Sequence, residues 1–445
     1  MTPARTICIG FLVLIAIGTL LLSLPWAVVP TAVNTPLTAL FMATSAVCVT
    51  GLAVVDVSSH YTLFGQVVLL MLFQIGGLGY MTANTFLLLL IGRKFSLKEK
   101  LTLQQSLDLR GLQGSATVVR SIIATTLLFE LGGTVLLTPV FSDPYGWERG
   151  WWLALFHSVS AFNNAGFSLF SNSLMDYVHH PWINLVVSGL IIAGGIGYQV
   201  LAEMYVCLRA VCRRQSNDPK INFSLNFKVV TTTTIVLLGM GTGVLFLSEL
   251  ATPQMQALSW AEQIWASWFQ AVTARTAGFN TIDIGKMSTT GLFTMTILMF
   301  IGASPGGTGG GIKTTTVRIL ACCTNAALHG REAVWLYQRQ VPTSLILKAV
   351  AVGLGSLSVV LLSTIILSMS ETQVDFIQLL FEATSAFATV GLSTGITPQL
   401  SGLGQLVLIG SMYVGRVGVL LLIGAMSGNP RPSLVKFPEE YMLVG

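Results

Sequence analysis

Charge is what this sequence has least of. Its 445 residues carry 23 Lys and Arg against 18 Asp and Glu, 9% charged in all, where an ordinary soluble domain has about 25%. So few charges leave most of a water-facing surface bare, which excludes a soluble enzyme, a nucleic-acid binder and a disordered regulator. Histidine is scarce too, with five residues. The six cysteines, Cys8, Cys48, Cys207, Cys212, Cys322 and Cys323, show no repeated Cys-x-x-Cys and no His at zinc-finger spacing. They read as small buried hydrophobes, not as a metal site or a disulfide framework. An intramembrane Asp pair or Ser/His pair is also missing, so a membrane enzyme has no support. A secretory leader is not expected: Ile7–Leu24 is 18 uncharged residues, longer than a signal core, with no convincing cleavage site after it.

Long apolar runs are what the chain does have, with 53% hydrophobic residues and a mean hydropathy of +0.75. Stretches long enough to cross a bilayer lie near 7–29, 63–91, 118–140, 182–208, 228–250, 289–328, 344–368 and 402–426. Eight spans put both termini on one side. One set of loops holds 17 of the 23 bases, whereas the opposite loops hold only Arg149, Arg275 and Lys286. Basic loops stay inside, so both termini are expected in the cytoplasm. The outer loops carry nine acids, Asp56, Asp143, Glu148, Asp176, Glu249, Glu262, Asp283, Glu371 and Asp375, an excess that would concentrate cations at the outer mouth.

Each outer loop contains a second apolar segment of about a dozen residues, too short to span: Leu37–Val47, Trp151–Phe162, Ala261–Val272 and Asp375–Phe387. Each ends in a small-residue turn with one glycine, and a phenylalanine precedes it. Phe41 leads to Val49-Thr50-Gly51, Phe156 to Asn164-Ala165-Gly166, Phe269 to Thr276-Ala277-Gly278, and Phe381 to Thr389-Val390-Gly391. The spacing from Phe to Gly is ten residues in three copies and nine in the third, and the glycines are 115, 112 and 113 residues apart. The expected fold is therefore all-α and membrane-embedded, with eight transmembrane helices as four parallel repeats of span, re-entrant helix and span around a central pore. Expected boundaries are 1–92, 93–208, 209–328, 329–428 and a tail at 429–445.

Parallel repeats share one axis along the membrane normal, so four re-entrant elements converge from the outside. Non-helical backbone at membrane depth is tolerated where it lines a wet cavity. Glycine lets the backbone turn carbonyl oxygens inward, a ring of carbonyls can replace a cation's hydration shell, and the helix C-termini add negative potential. Cation conduction is the physical conclusion; which cation passes is left open by the residues alone. One span is too long: residues 289–328 would make a helix of about 60 Å, twice a hydrocarbon core, and must break in Gly302–Thr316. Its glycines Gly306, Gly307, Gly309, Gly310 and Gly311 precede Lys313. This is not a nucleotide loop, because Ile312 separates the last glycine from Lys313 and no strand precedes it. A mobile hinge beneath the filter fits better. Lys313 and Arg416 are expensive at membrane depth and are expected to hold that loop across the path, a purely structural cap being the alternative. Arg275 should face away from the pore, toward Glu262 or Asp283. Glu130 and Glu382 are expected to pair with buried Arg or backbone N–H groups.

The four turns, the strings Asn163-Asn164-Ala165-Gly166-Phe167 and Arg275-Thr276-Ala277-Gly278-Phe279, and the broken span with Gly306–Lys313 resemble the Trk/Ktr/HKT superfamily over essentially the whole chain. Eight spans and the closing Phe437–Gly445 look most like the membrane subunit of its Ktr branch. The resemblance implies K⁺ translocation, often Na⁺-stimulated, with no cofactor in the chain itself. It also implies a homodimer in the lipid bilayer of the cell membrane and a cytosolic, KtrA-like ring of nucleotide-binding RCK domains. From the family, Gly306–Gly311 would gate the pore and Arg416 would contact them. Gly51, where sodium-preferring relatives have Ser, favours potassium. A cation symporter of other selectivity and a non-conducting membrane subunit are the competing readings.

Overall fold

The computed structural model describes residues 3–79, 115–212 and 223–427. The bases at 93–110, 213–220, 431 and 436 and the tail at 429–445 lie outside the described residues.

Four similar units follow one another. The first packs helix Pro3–Leu22 against the short helix Pro36–Val47 and the inner helix Leu63–Leu78. The second has Ser115–Tyr145, the re-entrant helix Trp147–Phe162, and an inner segment of Pro181–Ile196 plus Tyr198–Cys212. In the third these are Leu225–Glu249, Trp260–Thr273, and Thr289–Phe300 plus Thr314–Leu328. In the fourth they are Thr343–Ser370, Phe376–Ala388, and Gly402–Val417 plus Val419–Ser427. A two-stranded hairpin, Trp335–Leu336 with Arg339–Gln340, is the one departure from all-α structure among the described residues.

Local chemistry sets the helix ends. Thr62, Ser288 and Ser401 each begin an inner helix and accept the N–H three residues on, of Gly65, Gly291 and Gly404. In the last two units an acid secures that cap. Glu249 accepts from the Ser288 hydroxyl at 2.7 Å, and Glu371 accepts from the Ser401 N–H at 3.0 Å. These acids, expected at the outer mouth, are helix clamps instead.

Four helices are long and apolar enough to cross a membrane alone, and two bent pairs qualify jointly. The remaining two inner segments are Leu63–Leu78, which runs to the edge of the described residues, and the broken segment of the third unit. The apolar runs at 182–208 and 402–426 both bend sharply, by 109° at Gly197 and 92° at Gly418. The bends rest on glycines in left-handed conformations, φ +95° and +89°, which other residues adopt only at a cost. Large apolar side chains such as Leu128, Val135, Leu247 and Met369 face outward, as a lipid-facing surface requires.

The buried core is where the short helices meet. Phe41, Phe156, Phe269 and Phe381, the phenylalanines that open the four repeats, are all fully buried. They anchor the re-entrant helices so that their C-termini meet at one place.

Candidate functional site

All four sequence-marked turns come together. A Cβ built on Gly51 would stand 2.4 Å from the Ala165 carbonyl oxygen, on Gly166 2.8 Å from that of Ala277, on Gly278 2.5 Å from that of Val390, and on Gly391 2.1 Å from that of Thr50. Each glycine thus abuts the next repeat's carbonyl, and the fourth abuts the first, closing a ring. The four glycines have φ of +90°, +70°, +82° and +91°. A side chain at any of the four would crowd the neighbouring carbonyl and strain the backbone.

Two residues before each glycine the backbone is left-handed again, at Val49 (φ +58°), Asn164 (+56°), Thr276 (+77°) and Thr389 (+50°). Three of these are β-branched, for which such dihedrals cost on the order of 1–3 kcal/mol each. Strain repeated at one place in four copies marks a site whose backbone shape matters. Between the two left-handed positions sit Thr50, Ala165, Ala277 and Val390, whose carbonyls form the contacts above. The re-entrant helices end at Cys48, Asn163, Ala274 and Thr389, so their negative ends surround the ring.

The third turn is one residue short, and the structure absorbs this locally. In the other repeats the turn closes by a bond from residue i to i−5: Thr50 N–H to Ser45 O, Ala165 to Ser160 and Val390 to Ser385, at 2.7, 2.8 and 2.9 Å. In the third, Ala277 N–H reaches Thr273 O, i−4, at 2.9 Å. Gly278 keeps its place in the ring.

The third inner segment breaks between Phe300 and Thr314, as its length requires. Ile301 and Ile312 pair at the neck, so the chain leaves and rejoins the helical path at one point. The loop then lies against the inner face of the ring. Gly310 N–H donates to Thr389 Oγ1 at 3.1 Å, and a Cβ on Gly309 would stand 1.9 Å from Thr276 Oγ1. Asn164 completes this layer through its side-chain amide, 3.2 Å from Thr276 Oγ1. The loop also repairs the break at Gly197: Ser304 N–H donates to Gly195 O at 3.0 Å, Thr308 N–H to Gly194 O at 3.1 Å, and Tyr198 N–H to Gly306 O at 3.2 Å. Two interrupted helices thereby satisfy each other's orphaned backbone groups.

Both intramembrane cations meet the loop. Lys313 Nζ donates to Gly309 O at 2.7 Å. Arg416 donates through Nη1 to Thr308 O and through Nη2 to Gly76 O. Gly76 lies in the last turn of its helix, where carbonyls lack helical partners and the dipole favours a cation. Neither cation has an ion-pair partner among the described residues.

Other expectations need correction. Arg275 faces neither Glu262 nor Asp283, because local chain chemistry already occupies both. Glu262 accepts from the Ser259 N–H at 2.8 Å and lies 2.8 Å from His179 Nδ1, while Asp283 pairs with Lys286 at 3.1 Å. Arg275 is buried and lines a small cavity with Ile191, Ile192, Gly195, Leu238 and Val272. Glu130 pairs with side-chain amides, accepting from Gln74 Nε2 at 3.2 Å and Asn163 Nδ2 at 2.9 Å. Glu382 does accept a backbone N–H as expected, from Thr394 at 3.1 Å, and adds two hydroxyls, from Ser393 and Thr397. Of the nine outer acids, Asp56 alone lines the open cavity of ≈ 220 Å³ above the ring, together with Gly51, Gly166, Gly278 and Gly391. Burial works to raise its pKa, but hydrogen bonds from Ser171, Ser58 and Ser59 outweigh that and hold the carboxyl below its ordinary value.

A profile of the TrkH family, described as cation transport protein, matches residues 5–435. The chain belongs to the TrkH family. Its members are transporters, as the lack of enzyme chemistry in the sequence led us to expect. The chain is 38% identical to the Ktr system potassium uptake protein B of Bacillus subtilis, covering 100% of this chain and 97% of that one. It is 36% identical to the protein of the same name from Vibrio alginolyticus, over 99% and 94% of the two chains. The potassium/sodium uptake protein NtpJ of Enterococcus hirae is 33% identical, over 100% and 98%. The fold resembles that of the potassium transporter TrkH from Vibrio parahaemolyticus, with a TM-score of 0.72 over 95% of this chain and 85% of that one, at 18% identity.

Proposed function

We propose that this chain is the K⁺-translocating pore subunit of a potassium uptake system. The observation that carries the reading is the closed ring in which four left-handed glycines each abut the next repeat's carbonyl. Val49–Gly51, Asn164–Gly166, Thr276–Gly278 and Thr389–Gly391 form the selectivity filter. A dehydrated cation there trades its water shell for backbone oxygens, and Asp56 draws cations to the mouth above it. The names of the relatives supply potassium as the cargo.

The loop from Gly302 to Lys313 is the gate. Its seat against Thr276 and Thr389 blocks the path on the cytoplasmic side of the ring, and Arg416 and Lys313 latch it there. Flux requires the loop to leave that seat, a movement the glycines permit. A cytosolic nucleotide-binding ring, binding the basic inner loops, controls the latch, and two copies of the chain associate in the cell membrane with both termini cytoplasmic. Each copy comprises the four repeats at 1–92, 93–208, 209–328 and 329–428.

The test is ⁸⁶Rb⁺ or K⁺ uptake in a potassium-uptake-deficient cell, with and without a cytosolic partner subunit. Growth at low K⁺ should be rescued, and more strongly with the partner. Failure to rescue under any condition would sink the proposal. The potassium/sodium name of one relative motivates a second reading, symport. Uptake of ²²Na⁺ in fixed ratio to K⁺ would favour symport; Na⁺ that only stimulates K⁺ uptake would favour conduction.

A further inference from the structure

Aligning the four repeats on the buried phenylalanine brings out a position that the pore itself does not use. The residue after Phe41, Phe156, Phe269 and Phe381 is Met42, His157, Gln270 and Glu382, and all four are fully buried. The residue two beyond each filter glycine is Ala53, Ser168, Asn280 and Ser393.

In the second and fourth repeats these positions meet. His157 Nδ1 lies 2.7 Å from Leu153 O, which can only accept, so Nδ1 carries the imidazole proton. Nε2 is left to accept from Ser168 Oγ at 2.9 Å and from Leu169 N–H at 3.4 Å. Ser168 Oγ in turn accepts Phe170 N–H at 3.0 Å. In the fourth repeat, Glu382 Oε1 accepts from Ser393 Oγ and from Thr394 N–H, the latter at 3.1 Å. Its Oε2 accepts from Thr397 Oγ1 at 3.0 Å, and Ser393 Oγ accepts Gly395 N–H at 2.9 Å. The topology is the same in both: a polar side chain from the re-entrant helix, a serine two residues past the glycine, and the next backbone N–H.

The other two repeats lack it. Ala53 has no polar side-chain atom and Met42 only a weakly accepting thioether, so neither supplies a donor to the other. Gln270 has a buried amide whose nitrogen and oxygen both lack hydrogen-bond partners, while Asn280 Nδ2 turns to Ile282 O at 2.9 Å. The ring order established by the glycine contacts runs one, two, three, four and back to one, so the two braced repeats stand opposite each other.

We propose that His157 and Glu382 are positioning residues for ion selection: through Ser168 and Ser393 they hold the outer rim of the ring from behind, on two opposite sides. The carbonyl spacing, and with it the discrimination between K⁺ and Na⁺, depends on this pair. The proposal rests on the filter reading above.

The experiment measures initial rates of K⁺ uptake, and its inhibition by Na⁺, in cells producing comparable amounts of membrane-inserted protein. Glu382→Ala and His157→Ala should each lower the K⁺ over Na⁺ preference about three- to tenfold, the change that losing one or two hydrogen bonds produces. Glu382→Gln, which keeps the shape and one acceptor oxygen, should recover most of it. Ser168→Ala and Ser393→Ala remove the same link without touching the re-entrant helix, and should shift the preference in the same direction if the helix variants fail to accumulate. Gln270→Ala, at the unpartnered position, should leave it unchanged. A purely structural role would lower the maximal rate and leave the preference where it was; that result in both serine variants overturns the brace. If Gly51→Ser alters the preference while both serine variants do not, the filter reading stands and the brace alone fails. If neither alters it, the filter assignment itself is at fault.

Discussion

The third repeat and the other three solve the same problem differently. The inner helices of the second and fourth repeats are interrupted at a single left-handed glycine, Gly197 or Gly418, and the described part of the first ends at another, Gly79. The third is interrupted over the residues between Phe300 and Thr314, and that excess folds against the ring. Its re-entrant helix also reaches the ring by a turn one residue shorter, yet its glycine keeps its station. The ring is therefore held nearly symmetric while the chain beneath it is not. On the proposed reading, symmetry serves ion coordination, where four equivalent carbonyls are needed, and asymmetry serves control, where one loop acting alone is enough to close a single path.

The largest effect should come from breaking the symmetric part. Gly391→Val forces a β-branched residue to φ +91° with a neighbouring carbonyl oxygen 2.1 Å from its Cβ. A left-handed backbone costs about 1–2 kcal/mol for such a residue before any clash is counted. K⁺ uptake should fall below detection, measured against protein inserted in the membrane. The smaller Gly51→Ser change should leave transport but reduce K⁺ over Na⁺ discrimination; unchanged selectivity would mean the carbonyl ring has been misassigned.

Breaking the asymmetric part should do the reverse. Arg416→Ala removes two charge-assisted bonds, to Thr308 O and Gly76 O, each worth about 1.5–3 kcal/mol. If the loop is a gate, K⁺ uptake without the cytosolic partner should rise about tenfold and respond less to that partner, with ion preference kept. Flux and regulation both equal to the parent's would leave Arg416 as a mere cap.

The parts legible in the sequence are those where chemistry leaves no choice. A charge-poor, apolar chain belongs in a membrane, a short apolar helix that recurs four times before the same small-residue turn reads as re-entrant, and a 40-residue apolar run must break. The ring glycines and the loop were readable for that reason. The glycine-rich string Ala193–Tyr198 marks close helix packing or a kink, but the size of the bends at Gly197 and Gly418 was hidden, because hydropathy runs unbroken through them and apolarity carries no record of a dihedral angle. Partners of buried polar groups were hidden for another reason. Glu249 and Glu371 are each used by a serine cap 39 and 30 residues away, a choice made by tertiary proximity that outcompetes the longer-range roles their charge suggests, whereas the Ser259–Glu262 capping box is local chain chemistry. The brace at His157 and Glu382 had a signal after all, since the four repeats align those positions, but its meaning needed the serines in space.

The bends also allow a finer separation of the two kinds of interruption. Gly197→Ala and Gly418→Ala both force a residue with a side chain into a left-handed bend, costing about 1–2 kcal/mol each. Their surroundings differ. A Cβ at Gly418 meets nothing within 4 Å, whereas one at Gly197 would stand 2.5 Å from Pro305 O in the loop. Both variants should lose a few degrees of thermal stability in detergent, but only Gly197→Ala should also raise partner-independent uptake, about three- to tenfold. Equal behaviour in transport would show that the loop does not depend on its seat against the second repeat.

The smallest effect concerns how the third re-entrant helix is anchored at its outer end. It alone among the four carries a capping box, Ser259 with Glu262, and Glu262 also reaches His179 of the second repeat at 2.8 Å. Hydrogen bonds from the Ser259 hydroxyl and N–H, and then His179, pull the Glu262 pKa from 4.5 down to about 2. A carboxyl depressed by folding stabilises the native state above its unfolded pKa and loses that contribution as pH falls through the folded one. Glu262→Gln should therefore melt slightly below the parent at neutral pH. The gap should close as pH drops from about 4.5 toward about 2, and ion preference should be untouched throughout. The group is solvent-exposed, so salt should also narrow the gap. A gap that persists unchanged to pH 2 would show that the cap works through side-chain shape and not through charge, and that the shortened third turn is steadied by packing alone.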